Sequence, residues 1–252
     1  MKNLRNGFLI LAIVSCGFAC TDDPEETFEE PKSSASLTAT VEGENTNPPS
    51  TNERIIVNGF STTDFQVGMK EVEMRYVTKA DVLAGIGLGG INLNTTVNAS
   101  LQTSASREQT LSLMANGTVE SAAVGQGDTP EGSYREIDFR LFKNTESSSS
   151  LSEKSLLIEG QINGENAMLW LDQELAITAE SEDEDGVMVD GETAMEIVFD
   201  MNRLFEGVDF SGAVDSNADG VIEIGPGSED ENGAILAQIE SNISSAAKFR
   251  KK

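Results

Sequence analysis

The sequence contains no histidine, and its only two cysteines, Cys16 and Cys20, both lie within the first twenty residues. Without imidazole there is no Ser-His-Asp or Cys-His relay, no HExxH protease and no common zinc ligand set. With no cysteine beyond position 20, a folded region downstream has no disulfide and no thiol nucleophile. Basic residues are also scarce: 17 Lys and Arg stand against 43 Asp and Glu, for a net charge of -26. Phosphate binding needs the opposite sign, so nucleic acid is excluded as a partner. The same charge repels anionic headgroups, so contact with a membrane has to come from an attached lipid. What such a surface attracts is cations. Aromatics make up 6% of the chain, with one tryptophan, so the core is lean and built mainly from Leu, Ile, Val and Met.

The N-terminus carries the strongest pattern. Lys2 and Arg5 precede an apolar run from Gly7 to Ala19, and Cys20 is followed by Thr21-Asp22-Asp23-Pro24-Glu25-Glu26. A positive start, a short apolar stretch and a small residue before cysteine are the parts of a lipoprotein export signal, and the run is short for a membrane span. Cys20 is the expected lipidation site and Cys16, preceded by Ile13-Val14-Ser15, is the alternative. The acidic run after Cys20 favours Cys20, since it resembles the signal that sends some Gram-negative lipoproteins to the cell surface. Residues 1–19 then form a signal peptide. Residues 20–35 form an acidic tether too poor in apolar surface to order itself.

From residue 36 to about 225 the pattern is that of β-strands. Leu37, Ala39 and Val41 alternate with polar residues, as do Leu111 and Leu113; Ile137, Phe139 and Leu141; Leu156, Ile158 and Ile162; Leu169, Leu171, Leu175 and Ile177; and Met195, Ile197 and Phe199. In the longest run Phe65, Val67 and Met69 have one parity and Val72, Met74 and Tyr76 the other. A β-bulge near Gly68 to Lys70 would return all six to one face. Pro130-Glu131-Gly132, Asn163-Gly164, Asp185-Gly186 and Asp190-Gly191 read as turns between antiparallel strands, Asn163-Gly164 most clearly. The fold class is mainly β, an antiparallel sandwich or open barrel. At the end, Asp200 is placed to cap a short helix stopping at Gly207. Ser228 to Glu231 has the form of a capping box before Ile235, Leu236, Ile239 and Ile243, so residues 226–252 read as a C-terminal helix with basic residues at its negative end.

One constellation carries ion chemistry. Asp215, Asn217 and Asp219 occupy positions one, three and five of a calcium loop, Gly220 position six, the Val221 carbonyl position seven and Glu223 position nine. Position twelve is Pro226 instead of a bidentate glutamate, so closure requires Glu229, Asp230 or Glu231 to swing in. The competing reading is a set of Asx turns before Val221-Ile222-Glu223-Ile224. Any ion would be a structural, low-affinity Ca2+.

Other patterns carry less. Glu182-Asp183-Glu184-Asp185-Gly186 lacks ligand spacing and reads as a solvated hairpin loop. Gly85 to Gly90 matches GxGxxG, but the β-prone Ile91 to Val97 follows where a helix is needed. Asp172, Glu174, Asp138 and Glu136 are candidates for a carboxylate hydrolase, though so acidic a chain offers many chance pairs. Tyr76 and Tyr134 read as core. Trp170 has outward parity in its strand and is a weak candidate for stacking on a sugar.

Four pieces together resemble a known group. They are Phe65-Gln66-Val67-Gly68-Met69-Lys70-Glu71-Val72-Glu73-Met74, Pro130-Glu131-Gly132-Ser133-Tyr134-Arg135-Glu136-Ile137, Ser155-Leu156-Leu157-Ile158-Glu159-Gly160, and Asp209 through Ile224. In order and spacing they resemble an uncharacterised family of bacterial lipoproteins carrying a domain of unknown function. The resemblance spans about residues 36 to 225, implies a β-sandwich, and brings no catalytic residue or ligand. The expectation is a lipid-anchored outer-membrane or cell-surface protein with a noncatalytic binding or structural β domain. The alternatives are a glycan-binding accessory lipoprotein of a polysaccharide uptake system and, behind it, a carboxylate-dependent hydrolase.

Overall fold

The computed structural model of the chain describes residues 31–44, 54–78, 97–99 and 107–252. Its strands are β1 (Lys32–Glu42), β2 (Ile55–Val57), β3 (Phe60–Thr78), β4 (Val97–Ala99), β5 (Gln109–Ala115), β6 (Thr118–Val119), β7 (Ala122–Pro130), β8 (Gly132–Leu141), β9 (Leu156–Ile162), β10 (Glu165–Leu171), β11 (Ala176–Ser181), β12 (Val187–Val189), β13 (Thr193–Asp200), β14 (Val221–Ile224) and β15 (Ala247–Lys251). Among the described residues two α-helices, α1 (Met201–Leu204) and α2 (Gly233–Asn242), follow β13. The chain is mainly β, as its alternation requires.

The long strand β3 organises the sheet. One of its edges carries β9 along Phe60–Val67 and then β8 along Met69–Thr78, while β2, β5 and β4 pair with the other. The anticipated bulge is present one turn of the pleat later than placed: register against β8 slips between Lys70 and Glu73, and Glu71 takes φ +54°. That extra residue reverses parity. Phe65, Val67, Met69, Val72, Met74 and Tyr76 all end up buried. Gly68 instead marks the seam between β8 and β9, where its N–H donates to Ser155 O and its carbonyl accepts from Phe142 N.

The main path through the sheet runs β14-β10-β9-β3-β8-β11-β15-β13-β1-β7. β1 and β7 return to pack against β5, so the sheet folds back on itself in a sandwich-like manner. The rings of Phe65 and Phe139 both meet Phe199 inside, with centroids 5.6 and 5.9 Å apart. Three pairings, β1 with β13, β10 with β14 and β11 with β15, are parallel, so the sheet is mixed. Alternation reports which face of a strand is buried and is silent on direction, so these three were not legible.

The turns divide into two kinds. Asn163-Gly164 joins β9 to β10 with both residues at positive φ, the type I′ geometry that Asn-Gly favours. Asn58-Gly59 and Asn116-Gly117, passed over in the sequence, make the same turn between β2 and β3 and between β5 and β6. The other three anticipated turns do not close hairpins. β7 and β8 are not partners, nor are β12 and β13, and β11 and β12 both lie along β8 as one interrupted strand. Residues 182–186 are therefore an excursion within a strand path, not a hairpin loop.

At the Pro130 corner the Tyr134 hydroxyl donates to Pro130 O at 2.7 Å and lies 2.7 Å from Thr129 Oγ1. Its ring stacks on Tyr76 at 5.1 Å. A tyrosine bonding back to the strand before it fixes the corner at which the chain leaves one layer for the next.

Both ends of the domain depart from expectation. β1 begins at Lys32, so residues 32–35 of the supposed tether belong to the sheet, and Ala35 is buried opposite Thr193. Asp200 does cap α1, accepting from Asn202 N and Arg203 N. Residues 226–252 are not one helix: α2 covers Gly233–Asn242, and the chain then enters the middle of the sheet as β15, between β11 and β13. The capping box is also absent, because α2 starts after Asn232, whose side chain does not cap it. The physical reason for β15 is alternation. Ala247 and Phe249 face the core, while Lys248 and Arg250 meet carboxylates on the other side.

Candidate functional site

The Asp215 segment folds as a compact loop held by its own amides. Asp219 N donates to Asp215 Oδ1 at 3.2 Å and to Asn217 Oδ1 at 2.9 Å. Gly220 N donates to Asp215 Oδ2 and Val221 N to Asp219 Oδ1, each at 2.9 Å. Gly220 takes φ +92°, which is where a sharp turn needs glycine. The residues of positions one, three, five and six are thus brought together. Val221 and Glu223 lie beyond them on β14. Among the described residues, no three acidic groups converge closely enough to hold a metal.

Asp230, one of the three residues that could have closed an ion site, does something else. Its Oδ1 accepts from Ser216 N at 2.7 Å and Asn217 N at 3.3 Å, and its Oδ2 accepts from Glu223 N at 2.7 Å. Burial pushes this carboxyl up, but the three amide bonds outweigh it and hold it below the usual aspartate range. Asn232 completes the clamp, donating to Val214 O and Glu223 O and accepting from Val214 N. Together they cover the outer edge of β14, whose Glu223 N–H and C=O would otherwise be free to pair with another strand. Asn232 was not singled out in the sequence, and Asp230 was read there as a possible ion-closing ligand or part of a helix cap, not as the acceptor for these amides.

On the solvent side of the same strands lies a groove. Along β10, Ala167, Leu169 and Leu171 are buried, whereas Met168 and Trp170 point away from the core and are half-buried. Trp170 therefore has the outward parity expected of it. Its indole is pressed on Gly225, where an added Cβ would fall 2.1 Å from the ring, and Lys154 Nζ stands 5.9 Å from its centroid. The depression around Trp170, about 380 Å³, is lined by Lys143, Lys154, Asp172 and Glu223 among others. A second of about 420 Å³, lined by Asp64, Glu159 and Asp219, shares Met168 and Glu223 with the first.

The other candidates are tied up in the structure. Glu136 and Asp138 share Arg75 at 3.2 and 2.7 Å, Glu174 meets Lys70 at 2.9 Å, and Asp172 meets Lys143 at 3.7 Å. Glu182 pairs with Lys248 at 2.7 Å. Tyr76 and Tyr134 are core. Cys16, Cys20 and the Gly85 to Gly90 segment lie outside the described residues.

No protein-family model matches the chain, and no curated protein matches it. Among solved structures it is similar to MbnP from Methylosinus trichosporium, at 9% identity and a TM-score of 0.43, over 88% of this chain and 99% of that chain.

Proposed function

We propose that this chain is an exported protein anchored by lipid at Cys20, whose β domain serves outside the cytoplasm as a noncatalytic binding or structural module. The observation that carries the reading is the N-terminal sequence, a basic start and an apolar run ending at Cys20 with an acidic segment behind it. The geometry is compatible: β1 starts at Lys32, pinned where Glu131 N donates to Pro31 O and Ser33 Oγ donates to Glu131 at 2.8 Å. The twelve steps of chain from Cys20 to Lys32 would reach about 40 Å when extended. The resemblance to bacterial lipoproteins points the same way. A noncatalytic role is supported by the lack of histidine and by the ion pairs that occupy the four candidate carboxylates.

A weak structural Ca2+ in the Asp215 loop is part of the proposal. It is supported by the loop's own hydrogen bonds, which preorganise Asp215, Asn217 and Asp219 around Gly220. The ion would draw on those side chains and the Val221 carbonyl, with Glu223 swinging in from β14 to complete the set, and would stiffen the chain leading into β14.

Cell fractionation combined with protease treatment of intact cells tests the reading. Recovery in the outer-membrane fraction, with the β domain digested from outside, is the expected result. Recovery as a soluble cytoplasmic protein would overturn it.

A further inference from the structure

We infer that the groove on the outer face of β9, β10 and β14 is a glycan-binding site, for short chains of neutral or amino-bearing sugars. The inference rests on reading the domain as a noncatalytic binding module and names the ligand class. Three features support it. The two depressions lie side by side, with Met168 and Glu223 lining both, and together make up the groove. From Asn166 to Trp170 its floor extends about 13 Å along β10.

The chemistry of the lining is graded. At one end Trp170 and Met168, both half-buried, supply apolar surface, with the Lys154 ammonium over the indole as a donor and Lys143, Glu153, Asp172 and Glu229 around them. At the other end Asp64 and Glu159 supply acceptors, beside Asp219 and Glu223 of the Asp215 segment, and no lysine or arginine among the described residues lines it. Ionised carboxylates only accept hydrogen bonds, so the occupant has to donate them, as hydroxyl and ammonium groups do. Sugar rings combine such donors with C–H groups that pack on apolar surface such as Met168 and the exposed part of the indole. Uronic or sulfated sugars would bring like charge against these four carboxylates.

The wall is built to stay in place. Gly225 sits on the indole with no room for a side chain, and the Asp230 and Asn232 clamp fixes Glu223 from behind. A preformed site loses little entropy on binding.

Trp170 is the only tryptophan in the chain, so intrinsic fluorescence reports on this groove alone. The test uses the full chain in detergent, titrated with maltotriose, xylotriose, a glucosamine trimer and a galacturonic acid trimer, with calorimetry in parallel. The expected result is a saturable change with at least one neutral or amino trimer and none with galacturonate. Glu159→Gln and Lys154→Met, at the rim and away from the clamp, should each weaken that binding about tenfold. No saturable signal from any trimer by either method, or affinity unchanged in both variants, would overturn the inference. Binding accompanied by release of shorter sugars would keep the glycan site and overturn the noncatalytic reading instead.

Discussion

The carboxylate of Asp230 holds the amide of Glu223 at 2.7 Å, and its other oxygen holds Ser216 at the same distance, so a single side chain joins loop and strand. Asp230→Ala would leave three amides without their acceptor and should cost about 2 kcal/mol. Asp230→Asn adds a pH signature. A carboxyl whose folded pKa is lowered contributes stability above its ordinary value of 3.8 and loses it as pH falls through the folded value. The wild type should lose stability in acid more steeply than the asparagine variant, as read from urea midpoints between pH 5 and pH 2.

The C-terminal strand is latched by charge. Lys248 meets Glu42, Glu182 and Asp200 at 2.5, 2.7 and 3.4 Å, and Arg250 meets Glu42 at 2.7 Å. Burial alone would lower Lys248, but its carboxylate partners outweigh this and hold it above the usual lysine range. For Glu42 burial pulls upward, and the two cations outweigh it and hold the carboxyl low. The lysine's share of stability is therefore present below 10.5 and lost as pH rises through its folded value. The Glu42 share is present above 4.5 and lost as pH falls through its own. Lys248→Met should lower stability by about 2 kcal/mol and flatten the alkaline limb. Phe249→Ala, which empties a fully buried site in the same strand, should cost about 3 to 5 kcal/mol at every pH.

The Tyr134 corner makes a separate prediction. Tyr134→Phe removes the bonds to Pro130 and Thr129 while keeping the stack on Tyr76, and should cost about 1 to 2 kcal/mol in chemical denaturation. Gly132→Ala should cost more, because its Cβ would fall 2.4 Å from the Val77 carbonyl oxygen, which is backbone and cannot swing aside. The reverse order of the two costs would mean that the corner is set by packing of the glycine's neighbours less than by the tyrosine.

What the sequence showed and hid follows from what each signal measures. Period-two alternation is a burial signal, so it located most strands and required the bulge that Glu71 provides. Strand direction and partner choice are tertiary properties, which is why the parallel pairings and the insertion of β15 were out of reach. The helical spacing of Ile235, Leu236, Ile239 and Ile243 was real, but it stopped at the 3-10 turn of Ile243–Ser245, and alternation of Ala247 and Phe249 with Lys248 and Arg250 was the strand signal that the basic ending obscured. Among site residues, Asp215, Asn217 and Asp219 were legible because their contacts are local. Asn232 and Gly225 act on partners up to 55 positions away, and no local pattern marks them; Asp230 was marked, but as an ion ligand or helix cap, because its real partners, Ser216, Asn217 and Glu223, are set by the fold.

Calcium is tested by thermal melting. Millimolar Ca2+ should raise the melting temperature of the wild type by mass action, and Asp219→Ala should abolish that gain. Mg2+ should not substitute, since it demands a tighter octahedral shell than an open loop supplies. No shift in the wild type would reduce the Asp215 loop to turn chemistry.

The most direct measurement is the intact mass of the protein extracted from membranes, with peptide mapping of its first residue. The expected result is a mature chain beginning at Cys20 and carrying lipid, with the modification lost in Cys20→Ser and retained in Cys16→Ser. An unmodified chain retaining residues 1–19, or a lipidated chain beginning at Cys16, would contradict it.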